Sequence, residues 1–193
     1  MGGGQGRTRG PVNVLEVGDL ERPRHTGEPV AFAAAGEEDA AAVAALRTRV
    51  AEQLTLEHGK GHWSLGTSAG VVAREIDAGK VLVARHGGGA VVATLTLGTR
   101  KPWAIDRSYF TPVERPIYLT GMAVDPSLQR GGLGRRLLDE AHQVVRGWPA
   151  QAVRLDAYDT TAGAGGFYRR CGYGERGRVT YRGTPLVYFE MLL

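Results

Sequence analysis

Gln129-Arg130-Gly131-Gly132-Leu133-Gly134-Arg135-Arg136 is the stretch on which the fold of this chain turns. It follows an apolar run, residues 117–124 (IYLTGMAV), closed by Asp125-Pro126. It precedes a run in which Leu133, Leu137, Leu138, Ala141, Val144 and Val145 fall on one helical face. A glycine-rich segment between a strand and a helix has a chemical meaning. The first helical turn presents unpaired N–H groups and the positive end of the dipole, and glycine lets the backbone approach an anion closely. The local chemistry is diphosphate binding, with a plain glycine turn as the bland alternative. Two familiar phosphate loops are excluded, because GxxxxGK[ST] is absent and G-x-G-x-x-G is not matched.

The pattern on either side is regular. Downstream, Gly147 and Pro149 end the helix. Residues 152–158 read as a strand with Val153, Leu155 and Ala157 on one side and Arg154, Asp156 and Tyr158 on the other. Residues 162–171 read as a short helix weakened by glycine. Residues 178–182 and 186–193 read as two strands around a Gly183-Thr184-Pro185 turn. Upstream, residues 30–35 predict a strand, and Glu37, Glu38 and Asp39 open a helix marked by Val43, Leu46, Val50 and Leu54. Residues 57–65 (EHGKGHWSL) are a loop. Thr67 or Ser68 caps a second helix that Gly79 stops. Strands at 81–84 and 90–97 flank a hairpin turn at 86–89, and a long loop runs from 98 to 116. The order is β-α-α-β-β-β-α-β-α-β-β, an α/β chain with a mixed sheet and no internal repeat.

Composition bounds the rest. A chain of 193 residues is one domain, 30–193, behind an extension at 1–29 that is rich in glycine, arginine and proline. The extension holds five glycines in its first ten positions and four Arg against four Asp+Glu, and is expected to be flexible. The 29 glycines follow no G-X-Y period, which excludes collagen. The net charge of +4 is too small to argue for nucleic acid without a concentrated stripe. Cys171 is the single cysteine, so there is no intrachain disulfide and no cysteine-based zinc site, as fits a reducing cytoplasm. No run of about 18 apolar residues predicts a membrane span, and the N-terminus lacks a secretory h-region.

Two segments carry a resemblance. Met122-Ala123-Val124-Asp125-Pro126 followed by Gln129-Arg130-Gly131-Gly132-Leu133-Gly134 is similar to the acetyl-CoA motif [Q/R]-x-x-G-x-[G/A] of the GNAT N-acetyltransferase superfamily. Residues 164–173, with Phe167-Tyr168 and Gly172-Tyr173, resemble its A-x-x-F-Y-x-x-x-G-[F/Y] segment. The resemblance spans 30–193 and implies the GNAT fold: a mixed central sheet flanked by helices and splayed at the cofactor strands. It implies acetyl-CoA as cosubstrate, no metal, and transfer of acetyl to an amine, most simply of a small molecule, by direct attack. A non-catalytic acyl-CoA-binding module is the alternative. Homodimers occur in the superfamily, but nothing in this chain specifies one.

By position, the resemblance implies that backbone of Met122, Ala123 and Val124 holds the pantetheine arm, and that N–H groups from Arg130 through Arg135 hold the pyrophosphate. Arg130, Arg135 or Arg136 are candidates for the ADP 3′-phosphate. Thr161 stands where many relatives carry an asparagine that contacts the pantetheine. Tyr168 is implied as the general acid for the leaving thiolate, which a phenol of similar basicity suits. No carboxylate lies in 117–124, so Asp156 is the candidate base, with Glu190 and Tyr158 as options. Asp156 has an alternative as an ion-pair partner for Arg154 or Arg169. Trp63, Trp103, Tyr118 and Tyr158 are the candidate acceptor-binding side chains. His58 and His62 have helical spacing, but Gly59 and Gly61 argue against a metal pair. Cys171 reads as a small buried residue beside the cofactor.

Overall fold

The computed structural model describes Met1 and residues 29–87 and 89–193. The extension expected over 1–29 therefore lies, apart from Met1 and Pro29, outside the described residues. Seven strands form one sheet: β1 (Ala31–Ala34), β2 (Lys80–Arg85), β3 (Val91–Gly98), β4 (Pro116–Val124), β5 (Ala152–Tyr158), β6 (Gly174–Tyr181) and β7 (Thr184–Leu192). Their order is β1-β2-β3-β4-β5-β7-β6. Among the described residues only β4 and β5 pair in parallel, joined by the crossover helix that a parallel pair requires.

Among the described residues four helices cover the sheet: α1 (Ala40–His58), α2 (Ala69–Ala78), α3 (Leu133–Arg146) and α4 (Gly165–Arg170). Strand alternation divides the core in two. Leu82 and Ala84 of β2, Leu119 of β4 and Leu155 of β5 pack with Leu137, Leu138 and Ala141 of α3. Val83 of β2 and Ala123 of β4 face the other way and pack with Val43 and Leu46 of α1 and Val72 of α2. A smaller cluster of Ile105, Phe110, Tyr118 and Tyr188 fixes the 99–115 loop to the α1 side of the sheet. Tyr188 donates its hydroxyl to the Ala104 carbonyl and accepts from Asp106 N–H at 3.1 Å, which anchors that loop.

Several expected boundaries move, and β6 starts at Gly174 rather than at 178. Helix α1 runs on to His58, so the loop expected over 57–65 starts two residues later and holds a 3-10 turn at His62–Ser64. The helix expected over 162–171 shrinks to six residues. Gly163 explains this: its N–H returns to the Thr160 carbonyl at 2.9 Å, and a Cβ there would lie 1.8 Å from the Tyr158 carbonyl oxygen. Residues 160–163 are therefore a tight turn pressed on β5. The last hairpin turns at Arg182-Gly183, with φ of 49° and 81°, rather than at 183–185. Two left-handed residues give a type I′ turn, so Thr184 and Pro185 already belong to β7.

Candidate active site

The site begins where β4 and β5 separate. They pair at Pro116–Ala152, Ile117–Val153 and Tyr118–Arg154, and nowhere beyond. From Leu119 to Val124 the edge of β4 that faces β5 has no strand partner among the described residues. On its other edge β4 carries an extra residue against β3, since Thr96 pairs with Thr120 and Thr94 with Ala123. Gly121 lies in this bulge at φ 59°. A bulge bends a strand and increases its twist, so β4 swings away from β5 and opens a slot.

Two cavities meet in that slot. One, of about 550 Å³, is lined by Met122, Ala123, Val124, the glycine loop and α4. The other, of about 350 Å³, lies toward the α1–α2 connection and is lined by Thr120, Asp156, Tyr158, His62 and Trp63 among others. Val50, Leu54, Met122, Ala123 and Tyr168 contribute to both.

The larger cavity ends on the start of α3. Gly132 caps that helix at φ 84°, a left-handed conformation that a side chain strains. A Cβ placed there would meet no heavy atom within 4 Å, so the mouth of the cradle is open. Arg130 is also left-handed, at φ 63°. Gln129, Arg130, Gly132, Gly134 and Arg135 line the cavity. Gln129 donates Nε2–H to the Val124 carbonyl at 3.1 Å, which ties the loop to the end of β4. The side chain of Leu133 points into the core, and Gly131 and Thr161 are exposed and line neither cavity. Arg136 lies over the Phe32 ring, 5.1 Å from its centroid, on the β1 side. The open, glycine-capped helix start fits a diphosphate, and the half-open slot beside β4 fits an extended chain.

At the junction stands Tyr168. It is 6% exposed, packs edge-on to Phe167 and Tyr173, and its hydroxyl is 3.5 Å from the Met122 sulfur. Burial, with Asp156 and Cys171 adding to it, pushes its hydroxyl far above the ordinary phenol range. That direction favours the neutral phenol. Asp156 faces the smaller cavity, half-buried, and burial raises its carboxyl above the usual value. The ion pairs weighed for Asp156 are formed elsewhere: Arg154 pairs with Glu190 at 2.9 Å and Arg169 with Glu175 at 2.7 Å. Glu190 is thereby corrected as a base candidate. It is 1% exposed and also holds Arg176 at 2.9 Å and Thr111 N–H at 3.3 Å.

Trp63 and Tyr158 meet edge to face across the smaller cavity, with centroids 5.3 Å apart. Two other aromatic candidates are misplaced. Tyr118 is 3% exposed in the cluster under the 99–115 loop, because its place in β4 precedes the split. Trp103 stands 82% exposed on the same loop, outside both cavities. Cys171 lines the larger cavity, and burial raises its thiol above the ordinary value, which keeps it protonated and a poor nucleophile. Helix α1 supplies wall residues that sequence reasoning missed. Val50 and Leu54 continue the stripe of Val43 and Leu46 past the core, and Arg47 interrupts it. A stripe longer than its core was the available signal. Among the described residues no group of three or more His, Cys, Asp and Glu could hold a metal, and no helix is long and apolar enough to cross a membrane.

The acetyltransferase (GNAT) family model matches residues 54–173, from the end of α1 through Tyr173. The chain belongs to the GNAT acetyltransferase family. No protein of curated function matches it in sequence. Solved structures share its fold. The Salmonella typhimurium protein yncA, solved with its cofactor acetyl-CoA, aligns with a TM-score of 0.63 at 18% identity, over 85% of this chain and 94% of its own. A GNAT-family acetyltransferase from Listeria monocytogenes aligns at 0.66 and 17%, over 85% and 95%. A ribosomal-protein-alanine N-acetyltransferase from Brucella melitensis aligns at 0.63 and 21%, over 84% and 99%.

Proposed function

We propose that this GNAT domain transfers acetyl from acetyl-CoA to a primary amine by direct attack, without an acetylated enzyme. The observation that carries the proposal is the meeting of two cavities at Tyr168, along the edge of β4 that β5 leaves. In this reading the larger cavity takes the cofactor. N–H groups from Arg130 through Arg135 hold its pyrophosphate at the start of α3, Arg130 and Arg135 add charge, and the free edge of β4 at Met122, Ala123 and Val124 holds the pantetheine arm. Acetyl-CoA, as cosubstrate, supplies a thioester whose C–S bond breaks as the new C–N bond forms.

The protein moves the protons. Asp156 accepts one from the acceptor ammonium, and its raised affinity for a proton suits a base. Tyr168 donates one to the departing sulfur, its hydroxyl staying protonated until then, and is reprotonated by the second proton that the nitrogen sheds on becoming an amide. Backbone N–H near Val124 polarises the acetyl carbonyl, as an oxyanion hole does. The test has two arms. Acetyl-CoA is expected to raise the melting temperature, and no shift at millimolar ligand overturns the cofactor assignment. Tyr168→Phe is expected to lower turnover by about 100-fold, the scale of one acid–base contribution, with acetyl-CoA affinity nearly unchanged. An unchanged rate removes Tyr168 from the acid role.

A further inference from the structure

The smaller cavity carries one uncompensated charge. Apart from tyrosines, three titratable side chains among the described residues line it: Arg47, His62 and Asp156. The Arg47 guanidinium is already neutralised. Its Nη1 is 2.8 Å from Glu75 Oε2 and its Nη2 donates to the Thr96 hydroxyl at 2.9 Å, while its Nε, without a hydrogen-bond partner among the described residues, is sealed from solvent and so closed to a ligand. His62 stands on the exposed rim. Asp156 has no cation within ion-pair distance among the described residues, since Arg154 and Arg169 are held by Glu190 and Glu175. A desolvated carboxylate without a partner is costly, and a cation brought by a ligand relieves it.

The rest of the wall is mostly hydrocarbon and ring, with Thr67 and Thr120 as its polar members. Val50, Leu54, Leu65 and Ala157 surround the Trp63–Tyr158 pair. Leu65 is 77% exposed, so a large apolar side chain faces water at the cavity rim until something covers it. At about 350 Å³ the space suits a small molecule of ring-and-linker size.

We infer that the acceptor is a primary amine with a single positive charge on an apolar, aromatic-sized body and no carboxylate beside the amine. Its nitrogen sits at Asp156 and its body on Trp63, Tyr158 and Leu65. An amino acid would set a second anion against Asp156 while Arg47 is occupied by Glu75. A polyamine would set a second ammonium against a mostly apolar wall that carries no second carboxylate among the described residues. This rests on the transferase reading above and narrows it.

The test compares kcat/KM by CoA release, at saturating acetyl-CoA, for 2-phenylethylamine, L-phenylalanine, spermidine and a peptide with N-terminal alanine. The expected result is a preference for 2-phenylethylamine of about 100-fold or more over each, the scale set by like-charge juxtaposition and by burial of an unpaired charge. In Asp156→Asn all rates fall, but the preference over L-phenylalanine narrows to within about tenfold, because no first anion remains to repel the second. Equal or better use of L-phenylalanine, spermidine or the peptide overturns the inference. So does transfer to none of the four by a protein that acetyl-CoA still stabilises, and in both cases the cofactor assignment stands. Absence of stabilisation by acetyl-CoA overturns both.

Discussion

Asp156 is held where a carboxylate is least stable as an anion. It lies on the face of β5 that points into the smaller cavity, beside Tyr158 and Tyr168, and burial raises its affinity for a proton. Its neighbour two residues back, Arg154, shows the contrasting solution: the same face and deep burial, but with Glu190 at 2.9 Å. A strained charge of this kind trades stability for chemistry. Asp156→Asn is therefore expected to act in opposite directions. Turnover should fall by about 100-fold or more, the range of a lost general base. Melting temperature at neutral pH should rise, because the amide need not be ionised in a half-buried site. The pH–rate profile of the parent should show an acid limb above the ordinary aspartate value of 3.8, since the base works only when deprotonated. Rate assays and thermal melts on one preparation check this. A variant that keeps full turnover removes Asp156 from the base role.

Among the elements, the start of α3 and the free edge of β4 border the larger cavity, to which the proposed function assigns the cofactor, and each has a local cause. The helix begins where Gly132 turns the chain at φ 84°. Gly132→Glu adds both left-handed strain and a negative charge at the open mouth. It is expected to weaken acetyl-CoA binding by more than about tenfold, consistent with the several kcal/mol that like charges in contact cost. Gly132→Ala, with the strain but no charge, should bind far better, and circular dichroism on both separates folding from binding. Equal binding by Gly132→Glu and the parent refutes the pyrophosphate assignment. This loop was legible in the sequence because its meaning is local, as was the one-sided face of Leu133, Leu137, Leu138 and Ala141 that buries α3. The alternation of β5 was legible too, placing Arg154, Asp156 and Tyr158 together. What was not legible depends on distant chain. Glu190 looked like a spare carboxylate until β7 paired with β5 and set it opposite Arg154. Gly163 looked like a weak helix residue until its contact with the Tyr158 carbonyl made it a turn. Tyr118 looked exposed to the site because nothing local says that β4 and β5 part just after it.

For the whole molecule, the polar pair inside the main core sets a pH limit on stability. His142 of α3 is 7% exposed, on the helix that packs the sheet, and its Nε2 lies 2.8 Å from the Tyr173 hydroxyl. Burial lowers its affinity for a proton, Asp139 opposes this, and Arg146 reinforces it. The imidazole is thus neutral in the fold, while in the unfolded chain it protonates near the ordinary 6.5. Between the lowered value and 6.5 the unfolded state binds more protons, so stability rises with pH there. The contribution is fully present above 6.5 and is lost as pH falls through the folded value. Asp156 has the opposite sign, since its raised affinity favours the folded state on acidification. The paired carboxylates Asp125, Glu175 and Glu190 all bind protons less readily than usual, and their loss comes lower, below about 4.5. Urea unfolding at pH 7.5 and pH 5.5, in the Asp156→Asn background, isolates the histidine. The Asp156→Asn protein is expected to lose stability between these pH values, and adding His142→Gln, which keeps a polar partner for Tyr173 without a titrating ring, should flatten that loss. If both proteins lose stability equally over this range, the buried imidazole is not what limits the fold in mild acid.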